Sequence, residues 1–364
     1  MAPSTGPLHL AAAVDGTGSY AAPYYVELAR LAERGTLDFI TLDDSFGPPG
    51  EGSGRPDALA VLARVAPATE RIGLVPTVTT THTEPFHVSC AVATLDWVSR
   101  GRAGWTVGVS ATEAEARLVG RRPAAPAAEL WAEAGEVADV VARLWDSWED
   151  DAEIRDLATG RFIDRDRLHY VDFEGGHFRV RGPSIVPRPP QGHPVVAVDA
   201  TDPVTRDTAA RHADVAFVRA TTPDAAGRIR DELRLRAGES GRDPGALTVL
   251  AAVTVDLSDG EYAAGPGSAR GPLTAVDDRP PLYRGGPVDL ADLIAGWHTA
   301  GAVDGFHITP AAPPGDLERF VNGTVALLQH RGLFRTFYPG TTLREHLGRP
   351  RPANRYALAR EGAR

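Results

Sequence analysis

Short apolar runs recur eight times along the chain, each followed by a longer stretch with helical spacing, and this alternation constrains the fold more than any other feature. The runs are Leu8–Val14, Leu37–Asp44, Arg71–Thr80, Ala103–Ser110, Pro194–Ala200, Asp214–Ala220, Leu247–Asp256 and Gly305–Ala311. The helical stretches are Pro23–Arg34, Pro56–Thr69, Val88–Val98, Glu129–Trp148, Pro203–His212, Pro223–Ala237, Leu290–Ala300 and Asp316–His330. Strands that are apolar throughout, rather than alternating, are buried on both faces, as in a parallel sheet covered by helices. Several helices open with proline in the first turn, where its missing N–H costs nothing, and several stop near glycine, as at Gly35 and Gly301. Eight strand–helix units predict an α/β fold, a (β/α)8 TIM barrel. A doubly wound sheet, with about five to seven strands, is the alternative.

The irregular segments fall where a barrel tolerates insertions. Residues 150–191 contain Leu168–Val180, with Gly175 and Gly176 between two short β-like runs, which predicts a hairpin before the fifth strand. Residues 258–287 after the seventh strand are rich in Gly, Pro and Asp and read as a lid or loop. The Arg- and Pro-rich tail 332–364 is expected to wrap the barrel or a partner, giving one domain over residues 1–364.

Composition removes whole classes of chemistry. All 38 basic residues are Arg, so a P-loop lysine, a Schiff-base lysine and a Lys general base are excluded. The single cysteine, Cys90, excludes an intramolecular disulfide, a CxxC pair and a cysteine-cluster zinc site. A net charge of −10 argues against a nucleic-acid partner. No apolar stretch approaches the roughly 18 residues of a membrane span, and no basic segment followed by an apolar core opens the chain. The expectation is a cytoplasmic protein without a membrane partner.

A barrel's active site lies at the C-terminal ends of its strands. Here those ends carry Asp43, Asp44 and Ser45; Thr79, Thr80, Thr81 and His82; Trp105, Thr106, Gly108 and Ser110; Asp199, Ala200, Thr201 and Asp202; and Phe306, His307 and Thr309. Such residues also cap the following helices, and that plain reading stands beside the functional one. His307 is the best acid/base candidate, because histidine titrates near neutral pH and its strand end faces the pocket. No HExxH, GxSxG, GxGxxG or Walker string occurs, and the scattered histidines predict no catalytic metal.

Specific strings then become recognisable. Glu84-Pro85-Phe86-His87, Ala93-Thr94-Leu95-Asp96 and Ser99-Arg100-Gly101-Arg102-Ala103-Gly104-Trp105 resemble luciferase-like flavin-dependent monooxygenases. The similar branch includes the nitrilotriacetate and dibenzothiophene-sulfone monooxygenases. Leu144–Asp151, Gly160–Asp164, Arg188–Pro194, Ala210–Asp214 and Arg331–Thr336 continue the resemblance to the tail. It implies a TIM barrel with insertions that binds reduced FMN from a separate flavin reductase and oxygenates a small organic substrate with O2, as a homodimer or homotetramer. A deazaflavin-dependent oxidoreductase, and a flavin-free or non-catalytic partner subunit, are the alternatives.

The resemblance also implies site residues. Asp44 matches the family's acidic residue after the second strand, and Thr80 or Thr81 its threonine after the third. Other cofactor positions depart. Thr106 replaces Asn, Leu130-Trp131 replaces Arg-Tyr near the flavin phosphate, and Asp199-Ala200-Thr201-Asp202 replaces Ala-Gly-Ser-Ser. A carboxylate at Asp202 caps the next helix but takes the place of the phosphate. Two anions about 4 Å apart repel by about 1–4 kcal/mol, or about one to three decades of affinity. The expectation narrows to whether an arginine, from Arg206 or the Arg121-Arg122 pair, reaches the turn Asp199–Asp202.

Overall fold

The computed structural model describes residues 6–15, 19–47, 54–257, 273–277 and 279–362. Eight strands form a parallel barrel: β1 (His9–Ala13), β2 (Phe39–Leu42), β3 (Gly73–Thr79), β4 (Gly104–Gly108), β5 (Val195–Asp199), β6 (Val215–Val218), β7 (Thr248–Asp256) and β8 (Gly305–Pro310). Each pairs with the next in this order, and β8 pairs with β1 to close the ring. Every observed strand lies inside its predicted run and is trimmed at the ends, where polar residues leave the ladder. A Cβ at Gly305 would overlap the His9 carbonyl oxygen, so β1 and β8 can approach as they do only because that residue lacks a side chain.

Side chains alternate between the barrel interior and the surrounding helices. Ala11, Phe39, Val75, Ala197, Phe217 and Leu250 share one buried interior cluster. Leu10, Ile40 and Leu74 face outward and pack with Leu28 of α1 (Ala22–Arg34) and Leu62 of α2 (Ala58–Val65). Trp105 and Val107 pack with Val92 of α3 (Pro85–Val98) and Val137 of α5 (Ala127–Asp146). Between these two helices lies α4 (Glu113–Val119), which the apolar pattern missed; a Thr112/Glu115 capping box starts it and left-handed Gly120 ends it. The outer layer continues with α6 (Arg206–His212), α7 (Pro223–Glu239), α8 (Pro287–Thr299) and a final helical segment over 315–330.

The hairpin predicted around Gly175-Gly176 is present, Phe173–Glu174 pairing with Arg179–Val180, and a second precedes it, Glu153–Asp156 with Arg161–Ile163. The predicted loop 258–287 includes a hairpin. Thr274–Val276 and Arg279–Arg284 form a hairpin whose second strand runs parallel to the end of β7, while 258–272 and 278 lie outside the described residues.

The tail wraps the barrel itself. Leu343 and Leu347 enter the interior cluster from below and plug the N-terminal end. Arg335 donates to Asp38 at 2.8 Å, and Arg344 pairs with Asp214 at 3.3 Å. Burial alone would raise the Asp38 carboxyl, but Arg335 and His9 outweigh it and hold the group down at about 2. Among the described residues no helix is long and apolar enough to cross a membrane.

Candidate active site at the barrel mouth

Strand register places Thr41, Thr77, Thr106, Asp199, Thr254 and His307 on the inward face toward the C-terminal ends. At the centre, Thr41 Oγ1 and His307 Nε2 share a hydrogen bond of 2.8 Å, whose direction follows the imidazole tautomer. The Phe217 ring lies 4.7 Å from that imidazole. Burial pulls His307 down to about 4, against the opposing pull of Asp199, so the ring is neutral at neutral pH. Thr41 was absent from the sequence candidates. Its only signal is parity: two residues after inward Phe39, it must also point inward.

On the β3–β4 side, the two threonines are occupied. Thr80 donates its hydroxyl to the Gly108 carbonyl at 2.9 Å, and Thr81 Oγ1 accepts the Ser110 amide at 3.1 Å. These bonds tie the end of β3 to the end of β4, and both residues are buried. Beside them, Thr106 Oγ1, Ser110 Oγ and both ring nitrogens of His82 are buried with no hydrogen-bond partner among the described residues. Trp131 is half-buried, and its carbonyl accepts the Thr208 hydroxyl at 3.0 Å.

The β5 turn answers the arginine question in an unexpected way. Arg219, at the end of β6, reaches it and donates to Asp199 at 2.6 Å, while its amide donates to Thr201 Oγ1 at 3.0 Å. Arg206 also reaches it, donating to the Ala200 and Thr201 carbonyls at 3.3 and 3.1 Å and to Glu232 at 2.5 Å. Asp199 accepts the Thr201 amide and Asp202 the Val204 amide, each at 3.0 Å. The carboxylates therefore hold the donors that an anion would need, and both arginines are engaged. Arg122 pairs with Glu133, and Arg121 with Glu84.

On the β1–β2 side, Asp44 accepts the Ser45 and Ala58 amides at 2.8 and 3.0 Å, with Arg55 at 3.4 Å. It stitches the β2 loop to the start of α2. A cavity of about 1170 Å3 opens here, lined among others by Asp15, Asp43, Asp44, Arg55, Arg279 and Thr309. Burial and neighbouring Asp43 push Asp15 up to about 6, although the Asp43 amide bonded to it acts the other way. Among the described residues no group of three or more His, Cys, Asp or Glu is placed to hold a metal ion.

Comparison with known proteins agrees with this architecture. The family model for luciferase-like monooxygenase matches residues 7–266. The chain is 32% identical to N-acetyl-S-(2-succino)cysteine monooxygenase of Bacillus subtilis (strain 168), over 92% of this chain and 91% of that protein. It is 34% identical to nitrilotriacetate monooxygenase component A of Aminobacter aminovorans, again over 92% and 91%. EDTA monooxygenase from Chelativorans sp. BNC1 superposes with a TM-score of 0.83 at 25% identity, covering 95% of this chain and 99% of that one.

Proposed function

The chain belongs to the luciferase-like monooxygenase family, and on that premise we propose that it is the oxygenase component of a two-component system. In this reading a separate flavin reductase supplies reduced FMN, and the chain uses O2 to oxygenate a small organic substrate in the mouth cavity. One observation carries it: neutral hydrogen-bonding groups, Thr106, Ser110 and His82, stand at the mouth without hydrogen-bond partners among the described residues. Hydroxyls and a neutral imidazole can each donate or accept, which suits the mixed donor and acceptor edge of an isoalloxazine. Bound reduced flavin supplies the electrons that let O2 oxidise the substrate.

The chain's own residues do the rest. Phe39 and Phe217 fill the barrel beneath the mouth and close it to water from below. His307 contributes a neutral ring that can hydrogen-bond or relay a proton at Nδ1, because Thr41 already holds Nε2. Thr41 is thus a positioning residue. Asp44 keeps the rim of the cavity in place through its two amide bonds.

The phosphate fits less well than the ring. With the Asp199–Asp202 turn satisfied internally, the grip on FMN rests on ring and ribityl contacts, and binding is weak. The same turn favours a second reading, in which the chain no longer takes flavin. Titration of the purified chain with FMN, reduced FMN and a deazaflavin, followed by fluorescence and calorimetry, separates the two. The proposal expects reduced FMN to bind at about 0.1 mM or below. It also expects oxygen-dependent turnover with a reductase and a panel of the relatives' substrates. Binding of the deazaflavin alone would replace oxygenation by hydride transfer, and binding of none would leave the flavin-free reading.

A further inference from the structure

At the opposite end of the barrel, a pocket of about 450 Å3 lies between α7, the end of α8, the start of β7 and the tail. Its walls include Arg230, Arg234, Thr248, His298, Asp304 and Arg349. Each of the three guanidinium groups is anchored by only part of its fork. Arg234 Nη2 donates to both Asp304 oxygens at 2.9 Å, Arg230 donates through Nε and Nη2 to Asp231, and Arg349 Nη2 donates to Thr248 Oγ1 at 2.8 Å. The three Nη1 groups have no partner among the described residues. A Cβ at Gly301, which lines the pocket, would stand 3.7 Å from Arg230 Nη1, so that edge lies against the pocket wall.

Charge is unbalanced here. Three arginines face the pocket, and among the described residues Asp304 is the only carboxylate on its wall; Asp231 is exposed outside it. Arg349 is 9% exposed, and its other charged neighbours include two further cations, Arg344 and Arg242, beside Asp214. A desolvated guanidinium with unfilled donors is costly unless an anion completes its shell. The planar arginine fork matches the oxygen spacing of phosphate, and in a chain without lysine it is the one side chain that can serve this way.

We propose that this pocket is a second ligand site, separate from the mouth, which binds a phosphate group through Arg230, Arg234 and Arg349. Arg349 belongs to the tail and the other two to α7, so the bound anion clamps the tail to the barrel. The pocket is larger than a bare phosphate, so inorganic phosphate and a small phosphomonoester share the chemistry. The site is independent of the flavin reading.

Calorimetry of the full chain with sodium phosphate, glycerol phosphate and sodium chloride at matched ionic strength tests it. Saturable heat and a raised Tm are expected with a phosphate ligand and not with chloride. Tighter binding of glycerol phosphate identifies the ester as the ligand form; equal or tighter binding of inorganic phosphate identifies the free anion. Arg230→Gln removes a side chain whose one carboxylate partner is exposed, so the fold survives, and affinity should fall at least about tenfold. Arg349→Gln should do the same; if it fails to fold, Arg230→Gln decides. Absence of saturable heat with both phosphates, or unchanged affinity in Arg230→Gln, overturns the site.

Discussion

At the bottom of the barrel, carboxylates at or just before the strand starts are gripped by arginines from the tail or a helix: Asp38 by Arg335 at 2.8 Å, Asp214 by Arg344 at 3.3 Å and Asp304 by Arg234 at 2.9 Å. At the mouth, the centre is held by a neutral pair, Thr41 and His307, and the ionic pairs sit at the rim, where Asp199 and Arg219 are 37% and 30% exposed. The Asp38 side chain, by contrast, is 0% exposed. Charge buried at Asp38 and Asp214 locks strands and tail into one arrangement, whereas the Asp304–Arg234 pair, 24% and 29% exposed, lies open to the bottom pocket. Charge kept solvated at the other end leaves a mouth whose polar groups are available to a ligand. The two ends should therefore answer mutation differently, one in stability and the other in chemistry.

The largest effect belongs to the bottom. Arg335→Met leaves Asp38 buried without its cation and should cost about 3–5 kcal/mol in denaturant unfolding, with turnover per folded molecule unchanged. The sign with pH follows from the depressed Asp38 carboxyl: its stabilisation is present above about pH 4 and is lost as pH falls toward 2. In Arg335→Met that acid limb should shrink, since His9 alone is left to hold the carboxyl down. A variant that folded normally but turned over slowly would break the comparison. Next in size is His307→Phe at the mouth, which should lose about 100-fold in kcat/KM while unfolding within about 1 kcal/mol of the parent. Thr41→Val should lower kcat/KM in the same direction but by less, and Thr41→Ser should restore it.

Most of this contrast was legible only in part. All eight strands fall inside the apolar runs because a strand buried on both faces needs apolar residues along its whole length. The Arg279–Arg284 strand was not legible, since Pro280 and Pro281 read as a loop; they precede Leu282–Arg284, the residues in register with β7, and fall where the hairpin register shifts, a place that tolerates proline. His307 was found from its strand end, but its partner Thr41 lies 266 residues away and no local pattern links them. Arg219 was hidden within the run Asp214–Ala220. The Thr80 and Thr81 hydroxyls, expected at a flavin, are bonded to β4, a pairing that depends on register rather than on residue type.

A smaller effect sharpens the mouth. Asp202→Ser keeps a cap for the Val204 amide but removes a charge, so FMN affinity should rise about tenfold by fluorescence titration, with stability unchanged. Unchanged affinity would mean that the phosphate lies elsewhere and that repulsion at this turn is irrelevant.

The smallest effect is the most direct comparison of the two ends. Asp199→Asn removes a carboxylate paired with arginine, as Asp38→Asn would below. Because the pair is more than a third exposed on the Asp199 side, water already screens it, and the cost should stay under about 1 kcal/mol. Asn retains an oxygen for the Thr201 amide, so the turn should keep its shape. The charge is still felt by His307, whose pKa Asp199 raises. In Asp199→Asn the imidazole should therefore titrate even lower by NMR, and the neutral form should persist to more acid pH. If this variant instead lost several kcal/mol, charge at the mouth would be holding the fold as it does at the bottom. The division of labour between the two ends would then fail.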